Sequence, residues 1–278
     1  MLARFSTGWG LAKQSLAVIR SDRELLLLPV MSSIALFIVS ASFLLPIMGS
    51  DSFKQFLESD TASHDPAVYI IVFLFYFINY FIIMFFNAGL IGCALIRFDG
   101  GDPNLKDAYR TSMECLPQIF AWSLVSATVG MILKVIEARS ERIGQIVSGI
   151  MGLAWNVTTY FVLPILVVEK VGPFEAISRS TSILKKTWGE ALSANIGIGF
   201  FLFFFQILAA VPAGLGLLIG TPESIVIGIV ITVICFLLIA LISSAANTII
   251  TVALYEYAEG RPPGSFDKNL LEQAFTRS

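Results

Sequence analysis

The feature that most constrains this chain is a series of long apolar runs that contain hardly any charged residues. A bilayer core about 30 Å thick is crossed by about 20 helical residues. Six runs reach that length: residues 25–48, 67–96, 116–135, 143–168, 191–218 and 224–255. Backbone polar groups in lipid must be satisfied internally, and barrel strands would alternate in polarity every second residue. The continuous runs therefore predict an all-α polytopic membrane bundle of about six transmembrane helices.

The composition agrees with lipid as the solvent for most of the surface. Residues of the AVILMFWYC set make up 56% of the chain and charged residues only 14%, with a net charge of −2. Soluble domains carry about 25% charged residues, and surfaces that bind nucleic acid need clustered basic stripes. We therefore expect one integral membrane domain over residues 1–278, in contact with membrane lipids and not with nucleic acid.

Irregularities are expected in three of the runs. Residues 67–96 and 224–255 are longer than a bilayer requires, so these helices should tilt or project from the membrane. The run at 191–218 contains Pro212, with Gly214, Gly216 and Gly220 around its end, which predicts a kinked or unwound segment there.

The distribution of Lys and Arg predicts the orientation. Most of these 18 residues lie before the first run, between the second and third, between the fourth and fifth, or in the tail at 256–278. The positive-inside rule then places both termini in the cytoplasm, and we expect the inner membrane of a prokaryote. The hairpin between the third and fourth runs, with Lys134, Arg139 and Arg142, fits this orientation least well.

Three connecting segments have helical amphipathic patterns. Residues 1–24 carry an apolar stripe and should form an interfacial helix with Arg4, Lys13 and Arg20 off the stripe. The stripe consists of Phe5, Trp9, Ala12, Leu16 and Ile19. The segment 173–188 has a similar stripe, which Thr181 interrupts; its members are Phe174, Ile177, Leu184 and Trp188. A shorter third segment, 103–116, has Leu105, Tyr109 and Leu116.

Each segment precedes two apolar runs, so the chain divides into three units of an amphipathic helix and a hairpin. Asp107-Ala108 with Arg110-Thr111-Ser112 is similar to Glu175-Ala176 with Arg179-Ser180. The alternative is that any protein with an even number of spans and cytoplasmic ends has this rhythm.

The same segments carry a resemblance. The residues Trp9, Lys13-Gln14-Ser15 and Arg20 to Pro29, with Val168-Glu169, Gly172 to Ser180 and Trp188-Gly189-Glu190, resemble a family of uncharacterised prokaryotic integral membrane proteins. The part from Glu175 to Trp188 is also distantly similar to membrane domains attached to some glycerophosphodiester phosphodiesterases. The resemblance implies a membrane fold and no known activity. The chain has no room for a soluble phosphodiesterase domain, so that reaction is not carried over.

Nothing in the sequence predicts catalysis. The single histidine, His64, lies in an acidic loop, HExxH, GxSxG and Walker patterns are absent, and the three cysteines form no CxxC pair. We therefore expect no enzyme activity, no cofactor and no metal.

The polar residues inside the runs have two interpretations: a polar path for a solute or ion, or hydrogen bonds between helices. They are Asn79, Asn87, Asn156, Asn195, Gln206, Asn247 and Thr251. On the first interpretation the protein is a membrane transporter or channel, which is the function the sequence favours.

The alternative is a scaffold or accessory subunit that acts through a cytoplasmic interface, with lipid, a second copy or another membrane protein as its partner. The candidate interface residues are Trp9, Lys13, Arg20, Arg179, Lys185, Lys186 and Trp188.

Overall fold

A computed structural model of the protein describes residues 2–49, 66–138, 143–186 and 206–275. All regular elements in these ranges are helices, with no strand among them, which confirms the predicted all-α class. The helices are α1 (Leu2–Ser21), α2 (Leu27–Gly49), α3 (Pro66–Phe98), α4 (Leu105–Glu114), α5 (Leu116–Ala138), α6 (Ile143–Thr158), α7 (Val162–Val168), α8 (Pro173–Lys186), α9 (Val211–Ile219), α10 (Pro222–Ala258) and α11 (Lys268–Phe275). A short 3-10 helix, Arg23–Leu26, joins α1 to α2.

Five helical stretches in the described part of the chain are long and apolar enough to cross a membrane. They are Arg23–Pro46, Pro66–Phe98, Leu116–Glu137, Gly144–Val168 and Pro222–Ala258. A shorter apolar stretch, Gln206–Ile219, belongs to the fifth apolar run, whose earlier residues lie outside the described ranges. The protein is therefore a polytopic helical membrane bundle.

The kink predicted near Pro212 is present. Helix is interrupted at Ala210, and α9 begins at Val211. The backbone N–H of Ala213 donates to Thr232 Oγ1 of α10 at 3.0 Å, so a side chain satisfies this donor at the break. The chain then reverses at Gly220, which has a φ of 79°, and Thr221 caps α10 by accepting from the Ser224 N–H at 3.2 Å.

A second break was not predicted. The run at 143–168 is divided into α6 and α7 by the residues 159–161. Pro164 explains the division, because it has no N–H for the carbonyl four residues earlier and its ring crowds that carbonyl.

The described helices belong to two compact units. Unit one comprises Met1–Pro29, Cys93–Leu105 and Ile183–Ser278, and unit two comprises Val30–Gly92 and Lys106–Ser182. In unit one, α1 packs on α10 and α11. In unit two, α5 packs on α6 and α7, and Trp122 stacks on Trp155 with ring centroids 5.6 Å apart.

Helix α10 is longer than a bilayer requires, and its two ends have different surroundings. This helix has 37 residues, about 56 Å at the usual rise. Its early residues, such as Val226 and Leu237, are exposed, whereas Ile249, Ile250 and Leu254 are fully buried. The end of α10 is therefore packed against protein within unit one, while its first part has a surface suited to lipid.

Candidate functional site

In unit one, an arginine joins the ends of two helices. Asp22, which directly follows α1, is buried, and its two carboxylate oxygens accept hydrogen bonds from Nε and Nη2 of Arg97 in the last turn of α3. Arg97 Nη2 also pairs with the exposed Asp102 at 2.7 Å. A bidentate arginine–carboxylate pair is directional as well as strong, so it fixes the exit of α1 relative to the end of α3.

The N-terminal and C-terminal segments meet in the same unit. Gln14 Oε1 accepts from the backbone N–H of Asp267 at 3.2 Å, and Phe98 contacts Phe266 edge to face with centroids 5.6 Å apart. A Cβ at Gly10 would lie 2.9 Å from Leu270. Part of the apolar stripe on α1 is thus covered by protein: Ala12 and Ile19 are buried, while Trp9 is 44% exposed.

In unit two, the loop between α7 and α8 is held at several points. Glu169 forms an ion pair with Arg179 at 3.1 Å, and Lys170 Nζ pairs with Glu114 at 3.0 Å. Gln118 Nε2 donates to the Lys170 carbonyl at 3.0 Å. Lys170 has a φ of 54°, a conformation that is uncommon for a residue with a side chain and that these contacts stabilise.

The ion pair between Lys170 and Glu114 changes both pKa values. The hydrogen bond and charge of the Lys170 ammonium lower the pKa of the Glu114 carboxyl. The same carboxylate raises the pKa of Lys170. Both groups lie outside the membrane-spanning stretches, and their pair connects the end of α4 to the loop that starts α8.

Helix α4 lies close against α3. Ser112 Oγ donates to the Phe85 carbonyl at 2.7 Å, and a Cβ at Gly89 would lie 2.9 Å from the Ala108 carbonyl oxygen. Ala108 and Ser112 are buried. Small residues on both helices therefore allow the backbones to approach.

Helix α8 uses the same spacing of small residues. Ala176 and Ser180 are fully buried, and Ser180 Oγ accepts from the Phe161 N–H at 3.1 Å. This N–H lies between α6 and α7, where the helix is broken. The similarity predicted between the two amphipathic segments thus extends to their packing.

A known protein family matches the part of the chain that contains α4 and α8. A model of a family of unknown function, DUF6159, matches residues 66–265. The chain belongs to this family. No curated protein matches the chain.

The DUF6159 match includes all the unit-two contacts described above, from α4 to α8, and excludes α1. The resemblance to an uncharacterised family, implied in part by residues 168–190, is confirmed at the level of a family of unknown function with membrane-like helices. The comparisons give no link to glycerophosphodiester phosphodiesterases.

Three large side chains of α4 and α8 face outward. Tyr109 is 60% exposed, Met113 42% and Phe174 76%. Leu184, which the sequence placed on the same stripe as Phe174, is buried. The stripe on α8 is therefore not one continuous surface, because the small residues Ala176 and Ser180 take the protein-facing side.

The intramembrane polar residues occupy different environments. Asn79 Nδ2 donates to the Phe75 carbonyl in its own helix at 2.7 Å, Asn87 is partly buried, and Asn156 is exposed. In unit one, Gln206 is exposed and Thr251 Oγ1 donates to the Asn247 carbonyl at 2.8 Å. Asn195 lies outside the described residues.

The candidate interface residues also differ from one another. Lys13, Arg20 and Lys185 are exposed, as is Trp9. Arg179 is held by Glu169 and therefore helps to build the loop. Trp188 and the side chain of Lys186 lie outside the described structure.

Sequence reasoning missed Asp22, Glu114 and Gln118 as contact-forming residues. The sequence did contain a pattern for Ser112 and Ser180, because each follows an alanine by four positions and so lies on the same helix face as that alanine. The structure shows that these alanines are buried. In the described ranges, no group of three or more His, Cys, Asp or Glu is placed to hold a metal ion.

Proposed function

We propose that this protein is a non-catalytic membrane scaffold or accessory subunit that acts through outward side chains of two helices, Tyr109 and Met113 on α4 and Phe174 on α8. We call these three residues together the α4/α8 face. The observation that supports this most is that both helices are held against the protein by small side chains while three large ones face outward. Helices α4 and α8 bury Ala108, Ser112, Ala176 and Ser180. They expose Tyr109, Met113 and Phe174.

Such a face suits recognition of a protein partner. Aromatic side chains supply a large contact area at a low cost in conformational entropy, and they dominate the energetics of many interfaces. The ion pairs Glu114–Lys170 and Glu169–Arg179 hold the supporting loop in place before any partner binds. Preorganisation of this kind reduces the entropy lost on binding.

With the orientation inferred from Lys and Arg, the α4/α8 face is cytoplasmic. The partner would then be a cytoplasmic protein or the cytoplasmic part of another membrane protein. The inner membrane of a prokaryote is the location that fits this arrangement.

Transport remains the second candidate because of one observation. Asn247 Oδ1 is buried and has no hydrogen-bond partner in the described structure. A buried acceptor without a donor costs about 1–3 kcal/mol, which a polar solute or a water molecule would recover.

The two helix breaks favour the scaffold over transport. Transporters use the freed backbone groups of broken helices to bind substrates and ions. Here the Phe161 N–H is taken by Ser180 and the Ala213 N–H by Thr232. These donors are already satisfied within the protein.

Photo-crosslinking in native membranes tests the proposal. A photoreactive phenylalanine analogue replaces Phe174 in one variant and Tyr109 in another. The matched control carries it at Phe37, which is 75% exposed on α2, compared with 76% for Phe174. We expect a discrete protein adduct at Phe174 and Tyr109 and none at Phe37. The absence of adducts at the first two positions, or the same adducts at all three, would contradict the α4/α8 face.

A further inference from the structure

Helix α6 carries a polar line on an exposed face. Gln145, Gly149, Gly152 and Asn156 follow one another at steps of four, three and four residues, so they lie on one side of the helix. Gln145, Gly149 and Asn156 are exposed and Gly152 partly so. We name these four residues the α6 seam; it lies within the membrane-spanning stretch Gly144–Val168.

Among the described residues, the side-chain amides of the seam have no hydrogen-bond partner. A carboxamide has two donors and an acceptor oxygen, and hydrocarbon offers none of the matching groups. The Asn79 side chain finds a partner in its own helix, because its Nδ2 donates to the Phe75 carbonyl. In the part of the chain that the structure describes, the Asn156 carboxamide forms no comparable hydrogen bond, although it lies in the middle of the spanning stretch Gly144–Val168, in the last turn of α6.

The two glycines of the seam contact no neighbouring helix in the ranges that the structure describes. Gly144, on another side of α6, has a clear use, because a Cβ there would lie 2.6 Å from the Ile136 carbonyl oxygen of α5. At Gly149 and Gly152, no heavy atom lies within 4 Å of where a Cβ would be, apart from the adjacent residues and the backbone of the same helix. Glycine weakens a helix interior relative to alanine, and in membranes it is typical of positions where another helix packs closely.

The side of α6 that packs on α5 is a different one. Trp155 stacks on Trp122 of α5 with an interplanar angle of 4°. Successive residues of a helix are about 100° apart, so Asn156 points well away from that contact. The packing of α6 against α5 thus leaves the seam open.

We propose that the α6 seam binds the α6 seam of a second copy of this chain. Copies that insert with one orientation pair about an axis normal to the membrane, and in a two-fold interface the same residue meets itself. A carboxamide is self-complementary, so Asn156 of each copy donates to and accepts from Asn156 of the other. Gly149 and Gly152 allow the close approach that such short side chains require.

This dimer is independent of the α4/α8 face, which lies on other helices. An acyl chain of a lipid fills space but cannot satisfy an amide, so lipid alone does not explain the seam. A polar asparagine at a single seam position also fixes helix register and the number of copies in coiled coils.

Cysteine crosslinking in native membranes tests the seam. A disulfide requires Cα atoms within about 7 Å, so Gly149→Cys reports close approach of two seams. Ile150→Cys is the matched control, since Ile150 is the adjacent residue and 63% exposed. The parent chain, with Cys93, Cys115 and Cys235, corrects for native cysteines. We expect oxidation to give a species of twice the chain mass for Gly149→Cys only.

Two substitutions of Asn156 then test the amide. In a dimerisation assay in lipid, Asn156→Leu should weaken association about 3- to 30-fold, the range that one interhelical hydrogen bond provides, and Asn156→Gln should retain most of it. Equal dimerisation of all three chains would overturn the role of Asn156. Equal crosslinking at 149 and 150, no crosslink at 149, or an adduct with a different protein would overturn the second copy as the occupant.

Discussion

Ser180 on α8 accepts a hydrogen bond from the backbone N–H of Phe161 at 3.1 Å, and both residues are fully buried. The donor lies between α6 and α7, where Pro164 follows and the helix is interrupted. One hydroxyl thus serves two purposes: it satisfies a backbone group inside a spanning segment and it seats the amphipathic helix that follows.

Ser180→Ala should destabilise the protein because it leaves the Phe161 N–H buried without an acceptor. The expected cost is about 1–3 kcal/mol. Ser178→Ala is the control, since Ser178 is exposed on the same helix. Unfolding of the two variants in mixed micelles measures the difference, and equal stability would show that the hydroxyl does not carry this role.

Asp22→Asn should also destabilise the protein. Asp22 is buried and holds Arg97 through two hydrogen bonds, and loss of one partner of a buried pair costs about 3–5 kcal/mol. Since Arg97 keeps Asp102, we expect a value near the lower limit. Asp102→Asn removes an exposed partner and should cost less than about 1 kcal/mol. The free energies of unfolding of the two variants measure this difference between the buried and the exposed partner of Arg97. Similar losses for both variants would contradict it.

The Glu114–Lys170 pair predicts a dependence of stability on pH. The pKa of Glu114 is lowered in the folded protein by the hydrogen bond and charge of Lys170. Its contribution is therefore present above the unfolded pKa of Glu, about 4.3, and is lost as the pH falls through the lower folded pKa. The raised pKa of Lys170 also stabilises the folded protein. Its contribution is present below the unfolded pKa of Lys and is lost as the pH rises through the raised folded pKa.

Glu114→Gln should flatten the acid limb of the curve of melting temperature against pH relative to the wild type. Because both members of the pair are largely exposed, the effect should be small and should decrease with added salt. An acid limb that is the same for Glu114→Gln and wild type would argue against this pair.

The scaffold proposal predicts that the protein does not conduct. Liposomes loaded with an ion-sensitive or pH-sensitive dye should leak equally with the wild type, with Asn247→Leu and with no protein. The reason is that the N–H groups at the two helix breaks are bound by Ser180 and Thr232. Flux through the wild type that Asn247→Leu abolishes would favour transport.

The sequence predicted the helical class because runs without charge leave a membrane chain few other structures. It predicted the kink at Pro212, where proline and three glycines coincide, but not the break before Pro164, which a single proline made less evident. Prolines are common in membrane helices, so the residue alone did not mark a break.

The contacts of the candidate site were harder to predict. Asp22 and Arg97 are 75 residues apart, and Glu114 and Lys170 are 56 apart; neither pair leaves a periodic signal. Amphipathic patterns also do not say whether a stripe faces protein or lipid. On α4 the buried side consists of Ala108 and Ser112, while Tyr109 is exposed, because close helix approach favours small side chains.

The most direct test of the scaffold function is quantitative affinity purification from native membranes. The chains compared are the wild type, a double variant with Tyr109→Ala and Phe174→Ala, and Phe37→Ala as a control for loss of an exposed aromatic residue. We predict a partner that purifies with the wild type and Phe37→Ala and is reduced more than about 10-fold with the double variant, as for an interface hot spot, at unchanged thermal stability. Recovery of the same proteins in the same amounts with all three chains would contradict the proposal.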